Sequence, residues 1–212
     1  MSKAVVISGG SISDYDIIKN LICDCEFIVC ADSGSLHCDK LGLFADVIVG
    51  DFDSAAIEYV KSLSCAKKAD FVALNPVKDD TDTEFAIDYA VSKGYKYIYI
   101  VAGIGTRFDH SLANVFLMEK YYDQGVKVVI INENNTLQLV KNATAYFEKN
   151  SRKYVSVLPL ETVSVTNFGF KYPLCEEFLY RNSSRGISNE LINHQGYITV
   201  KNGAAVIAET ND

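Results

Sequence analysis

Apolar residues fall along the first two thirds of this chain in short unbroken runs, at residues 4–7, 27–30, 47–49, 71–74, 97–101 and 126–131. Runs of that length without polar alternation suit strands covered on both faces, as in a parallel sheet packed between helices. Between them the apolar residues recur at helical spacing, predicting helices over 14–21, 54–63, 81–92 and 109–124. Strand and helix in alternation give an open α/β architecture. After Ile131 the polar stretch Asn132-Glu133-Asn134-Asn135 interrupts the pattern, and short strand signals follow at 137–140, 154–158, 162–165, 197–200 and 204–207, with no helical period among them. The expectation is an open, mostly parallel sheet flanked by helices over residues 1–134, then a small all-β sandwich domain over residues 135–212.

In an open parallel sheet, ligands bind beyond the carboxyl ends of the strands. The unusual polar motifs of the first domain all fall there. Gly9-Gly10 follows the first run, Asp32-Ser33-Gly34 the second and Gly50-Asp51-Phe52-Asp53 the third; Lys78-Asp79-Asp80-Thr81-Asp82 follows the fourth, and a stretch from Gly103 to Asp109 the fifth. That edge is a site. Asp51 and Asp53, two residues apart in extended chain, project to one side with Cα atoms roughly 6.5 Å apart. Such a pair can flank a hard cation, since Mg²⁺ is held by one or two carboxylates together with substrate phosphates and water. The alternative is a polar turn whose aspartates cap the next helix.

Thr81 and Glu84 fit a capping box, with Thr81 as N-cap. Asp82 in the first turn suits the helix dipole whether or not it also faces a cation. An EF-hand is excluded, because Phe85 stands where the loop glycine is required. Arg107 can grip phosphate oxygens bidentately at a helix start, where backbone N–H groups also favour an anion. Asp109 reads as the N-cap of that helix. There is no G-x-x-x-x-G-K-[ST] motif and so no P-loop, which leaves Lys78 and Arg107 as the cationic candidates. His37, His110 and His194 lack metal-ligand spacing, which argues against zinc, and they read as structural.

The net charge of −7 argues against a nucleic-acid partner, whose phosphates must be neutralised by Lys and Arg. If the ligand is nevertheless a polyphosphate, a divalent cation has to mediate the contact. The opening residues carry no long apolar export signal, and no run approaches the length that spans a bilayer. Cys23, Cys25, Cys30, Cys38, Cys65 and Cys175 form no C-x-x-C pair and read as reduced thiols. A cytoplasmic protein without membrane contact is expected.

At these residues the sequence resembles the thiamine pyrophosphokinase (thiamine diphosphokinase) family. The matching pieces run in order: ADSG at 31–34, Leu41-Gly42 and Asp46 leading into GDFDS, KDDTDTE at 78–84, GTRFDHSLAN at 105–114, NENNT at 132–136, GFKYPL at 169–174 and RGISNE at 185–190. The resemblance implies an α/β nucleotide-binding catalytic domain, a β-sandwich domain, and a homodimer with thiamine bound in a cleft between subunits. It implies transfer of a diphosphate group from ATP to the thiamine hydroxyl, with release of AMP. Carried over by position, the magnesium and catalytic carboxylates fall on Asp51, Asp53 and Asp82, with Arg107 as a catalytic cation. The ATP side takes Asp32, Ser33, Lys78, Thr81, Arg107 and Asp109, and the thiamine side Ser188 and Asn189. The chain departs from the family pattern in lacking Trp, which some members place near thiamine, and in having Ser33 where Gly is common. The same carboxylate edge would serve a diphosphokinase for another hydroxymethyl heterocycle, such as a pterin, a metal-dependent phosphohydrolase, or a non-catalytic nucleotide or metal sensor. The YPL and ISNE pieces favour thiamine.

Overall fold

Each apolar run of the first half becomes a strand, and the chain leaves each strand for a helix. In this computed structural model, which describes residues 2–51, 54–74 and 80–212 (54–56 by their backbone only), the order is β1 (Lys3–Ile7), α1 (Tyr15–Leu21), β2 (Phe27–Ala31), α2 (Gly34–Lys40), β3 (Val47–Gly50) and α3 (Ser54–Ser62). A 3₁₀ turn (Ser64–Ala66) leads into β4 (Asp70–Ala73), α4 (Asp82–Ser92), β5 (Tyr97–Val101), α5 (Phe108–Tyr122) and β6 (Lys127–Ile131). The strands lie in the order β4-β3-β2-β1-β5-β6, and every neighbouring pair is parallel. Successive strands step outward from β1 to β4; the chain then returns to the other side of β1 for β5 and β6. The order therefore reverses between β1 and β5, and their outgoing loops diverge there to leave a crevice.

Continuous burial explains the missing polar alternation. Val5, Val6, Ile7, Ile98, Ile100 and Ile130 are wholly buried, each contributing about 1.5–3 kcal/mol relative to exposure. The helix starts follow from capping. Asp14 accepts hydrogen bonds from the N–H groups of Asp16 and Ile17 at 3.0 Å, and Thr81 Oγ1 accepts from Glu84 N–H at 3.2 Å. Glu84 turns its carboxylate to Lys120 Nζ at 2.7 Å. The expectation for Asp109 is corrected: Arg107 holds the N-cap position of α5, in extended conformation, and Asp109 lies inside the first turn. Helix α2 was not foreseen, because it buries Gly34, Ser35 and Cys38, small residues that leave little apolar periodicity.

The first compact unit is Met1–Glu133 and the second Asn134–Asp212. The second contains β7 (Asn135–Lys141), β8 (Thr144–Glu148), β9 (Tyr154–Pro159), β10 (Val163–Phe168), β11 (Glu177–Leu179), β12 (Gln195–Lys201) and β13 (Ala204–Thr210). Strand β13 runs antiparallel between β7 and β9, while β11, β10, β12 and β8 form an antiparallel sheet in that order. Val140, Val157 and Ile207 from the first set pack in one core with Phe147, Val165, Leu179 and Ile198 from the second, which makes a sandwich. The two unpredicted strands, β8 and β11, are the edges of the four-stranded sheet and bury one residue each, Phe147 and Leu179. Among the described residues no helix is long and apolar enough to cross a membrane.

Candidate active site

The loops that leave the strand ends of the first unit enclose a cavity of about 510 Å³. Close backbone packing builds its floor. A Cβ on Gly34 would lie 1.9 Å from the Ile7 carbonyl oxygen, so only glycine lets the turn after β2 press against β1. Gly10 is equally confined: its N–H donates to the Ala102 carbonyl at 2.8 Å, and a Cβ there would meet that oxygen at 2.2 Å. His37 props the same loop from below. A carbonyl only accepts, so Nε2–H donates to Gly10 O at 2.8 Å and Nδ1 accepts from the Tyr15 hydroxyl at 2.8 Å. That is the structural role expected of His37.

One wall is acidic. Asp32, Asp51, Asp80 and Asp82 all line the cavity, brought there by β2, β3 and the start of α4. Asp32 has φ of +49°, in the left-handed region that Asp tolerates better than most residues, and its N–H is anchored to Val49 O at 2.8 Å. Ser8, almost wholly buried at the end of β1, shares a hydrogen bond of 2.9 Å with Thr83 Oγ1, which ties the first turn of α4 to the central strand.

The opposite wall carries Thr106, Arg107, His110, Ser111 and Asn114. Arg107 is the one Lys or Arg among the described lining residues. Its guanidinium meets Asp109 as a fork, Nη2 to Oδ2 at 2.6 Å and Nε to Oδ1 at 3.2 Å. These bonds pull the Asp109 carboxyl down to about 2 and raise the Arg107 guanidinium. Both side chains are exposed, and an ion pair in open water is readily exchanged for a ligand of higher charge.

The structure thus brings Asp32, Ser33, Asp51, Thr81, Asp82 and Arg107 to one cavity, with Asp109 beside Arg107. Asp53 and Lys78 lie outside the described residues. Among the described residues no group of three or more His, Cys, Asp or Glu is placed to hold a metal ion. The donors that do face the cavity are carboxylates and hydroxyls, hard oxygen ligands of the kind Mg²⁺ takes when phosphates and water complete its shell. Sequence reasoning missed Ser8, Asp80, Thr83, Ser111 and Asn114 as lining residues, and it read His110 as structural although His110 faces the cavity. Ser111 and Asn114 carried a usable signal, because steps of four and then three residues after Arg107 put both on one helix face.

In the second unit Ser188 is exposed with φ of +59°, and its N–H donates to Ser156 Oγ at 2.9 Å. Asn189 is buried. Its Nδ2 donates to Tyr172 O at 2.8 Å, while its Oδ1 accepts from the N–H groups of Tyr172 at 3.0 Å and Glu190 at 2.9 Å. Its carboxamide is occupied by backbone.

Known proteins resemble both halves. The family model for the thiamin pyrophosphokinase catalytic domain matches residues 18–130, and that for the thiamin pyrophosphokinase vitamin B1 binding domain matches residues 143–207. Thiamine pyrophosphokinase of Bacillus subtilis (strain 168) is 30% identical over 184 residues, spanning 85% of this chain and 86% of that protein. A crystal structure of thiamine pyrophosphokinase from Bacillus subtilis matches with a TM-score of 0.88 and 25% identity, over 100% of both chains. The structure of thiamin pyrophosphokinase from Geobacillus thermodenitrificans matches with a TM-score of 0.85 and 31% identity, over 100% of this chain and 98% of that one. Because two family models for one enzyme match in order, the first across more than half the residues, the chain belongs to the thiamin pyrophosphokinase family.

Proposed function

We propose that the chain makes thiamine diphosphate by moving the terminal diphosphate of ATP onto the thiamine hydroxyl, with release of AMP. Membership of the family establishes the enzyme class and thiamine diphosphate as the product; the donor, the metal and the residue roles are our reading. One observation carries it: four aspartates face a single cavity of about 510 Å³ whose other wall bears Arg107. A wall of four carboxylates without a cation would repel a polyphosphate. With a divalent cation between them, the same wall accepts ATP.

Asp51 and Asp82, with Asp53, would hold Mg²⁺, which when bound neutralises charge on the phosphate oxygens. Asp32, Ser33, Thr81 and Asp109 border the nucleotide, and Lys78 is assigned to it from the sequence alone. Arg107 exchanges Asp109 for phosphate oxygens and offsets charge on the departing AMP. The thiamine oxygen attacks the β-phosphorus as the bond from that phosphorus to the bridging oxygen breaks; AMP leaves with the electron pair. A carboxylate of the acidic wall takes the hydroxyl proton. In this reading the first unit is the nucleotide-binding catalytic part. The second, with Ser188 and Asn189, is the thiamine-binding and dimerisation part, and the working form is a homodimer.

Incubating the purified protein with ATP, Mg²⁺ and thiamine tests the reaction. AMP and thiamine diphosphate should appear in equal amounts by chromatography. ADP with thiamine monophosphate, or free phosphate alone, would overturn it.

A further inference from the structure

Arg107 is exposed and its guanidinium is held by the fork to Asp109, two residues on in the same segment; the position of the pair depends on the backbone of the loop between β5 and α5. Two side chains of α5 grip that backbone from within the cavity. Ser111 Oγ accepts from Gly105 N–H at 3.1 Å and donates its own hydrogen to Arg107 O, also at 3.1 Å. Asn114 Nδ2 donates to Gly103 O at 2.7 Å, and Asn114 is only 5% exposed. Burying a carboxamide costs free energy unless it is hydrogen-bonded. The three loop groups gripped, Gly103 O, Gly105 N–H and Arg107 O, span the loop from its start to the N-cap of α5.

We infer that Ser111 and Asn114 are positioning residues for the nucleotide: they fix the loop so that Arg107 is presented to the phosphates. The two act through backbone, and Ser111 is the more informative to change because it holds the loop at two points. This inference rests on the reading of the cavity as an ATP site. It differs from a general packing role in that its loss falls on one substrate. A loop freed from the Ser111 hydroxyl keeps the bond from Ser111 N–H to Arg107 O but is released at Gly105, which leaves Arg107 chemically intact but less ordered, so ATP must pay for ordering it on binding.

The test compares Ser111→Ala, Ser111→Thr and Arg107→Ala in the full chain. Ser111→Ala should raise KM for ATP by about tenfold, the scale expected for losing two neutral hydrogen bonds, and leave KM for thiamine within about twofold. Ser111→Thr keeps an Oγ able to bond the carbonyl four residues back in a helix, and should restore KM for ATP to within about twofold of the parent. Hydrogen exchange at the Gly105 amide should speed up in Ser111→Ala alone. Asn114→Asp, which sets a carboxylate against Gly103 O, should show the same selective loss; were it to fail to fold, the Ser111 variants decide. If Arg107→Ala raises KM for ATP while Ser111→Ala does not, or raises both KM values together, the positioning role is wrong. If Arg107→Ala itself leaves KM for ATP unchanged, the reading of the cavity is at fault instead.

Discussion

The two units place polar side chains by opposite means. In the parallel sheet every strand runs the same way, so the loops after β1, β2, β3 and β5 emerge on one edge, and residues far apart in sequence, from Asp32 to Arg107, meet around one cavity. Side chains there, such as Asp51 and Arg107, are exposed and sit where topology puts them. In the antiparallel sandwich, neighbouring strands run in opposite directions, so the loops are divided between its two ends. Its polar residues are held one bond at a time: Asn167 and Asn189 are both buried, and both donate to Tyr172 O, at 3.2 and 2.8 Å. A residue's place in the first unit already suggests what it does. In the second, the same residue type has to be read from its partners.

The contrast breaks most clearly at Asp51. Asp51→Asn should lower kcat by about a hundredfold or more, as expected for removing a group that organises transition-state charge, with melting unchanged because the side chain is exposed. Near-normal turnover would remove Asp51 from the reacting centre. Asn189→Ala should do the converse. It leaves Tyr172 N–H without the Asn189 Oδ1 acceptor and should cost about 1–3 kcal/mol in denaturant unfolding. A variant of parental stability would show that the Asn189 bonds to Tyr172 and Glu190 carry no stability and that Asn189 serves thiamine alone.

Arg107→Lys sharpens the picture on a smaller scale. Lysine keeps the charge but not the fork, and KM for ATP should rise about threefold to tenfold. The sign of the pH dependence follows from Asp109, whose folded value is lowered to about 2 from 3.8 by the Arg107 hydrogen bond. Whatever the pair contributes is present above the unfolded value and lost as pH falls through about 2. The apparent pKa values of the pH–rate profile near neutrality should therefore be the same in Asp109→Asn as in the parent. The smallest effect concerns the thiols. Burial pushes Cys25 and Cys65 up to about 12, whereas Cys23 and Cys175 are exposed. Mass spectrometry after brief alkylation at neutral pH should show adducts at Cys23 and Cys175 first, with activity retained.

Much of the fold was legible because burial on both faces writes itself as unbroken apolar runs, as at Val47–Gly50 and Tyr97–Val101. Elements that bury little were invisible: α2 offers small residues to the core, and β8 and β11 one large side chain each. The acidic wall was legible at Asp32, Asp51 and Asp82 because each follows a strand. Ser8 and Thr83, which hold α4 to β1, were not, since a single hydroxyl beside a strand is an ordinary surface feature until its partner is seen 75 positions away. The N-cap of α5 lies two residues before the expected Asp109: that carboxylate had two possible uses, capping and pairing, and it pairs with Arg107.

Sequence alone determined the alternation of buried strands and helices, the change to an all-β second half, and the carboxylates that end the strands, because these depend on nearest-neighbour pattern and on the direction of each strand. Only the tertiary structure decided which of those groups share a cavity, and that the Asn189 carboxamide is taken up by Tyr172. Such pairings join residues brought close by the packing of whole elements, and no local spacing in the chain encodes that proximity.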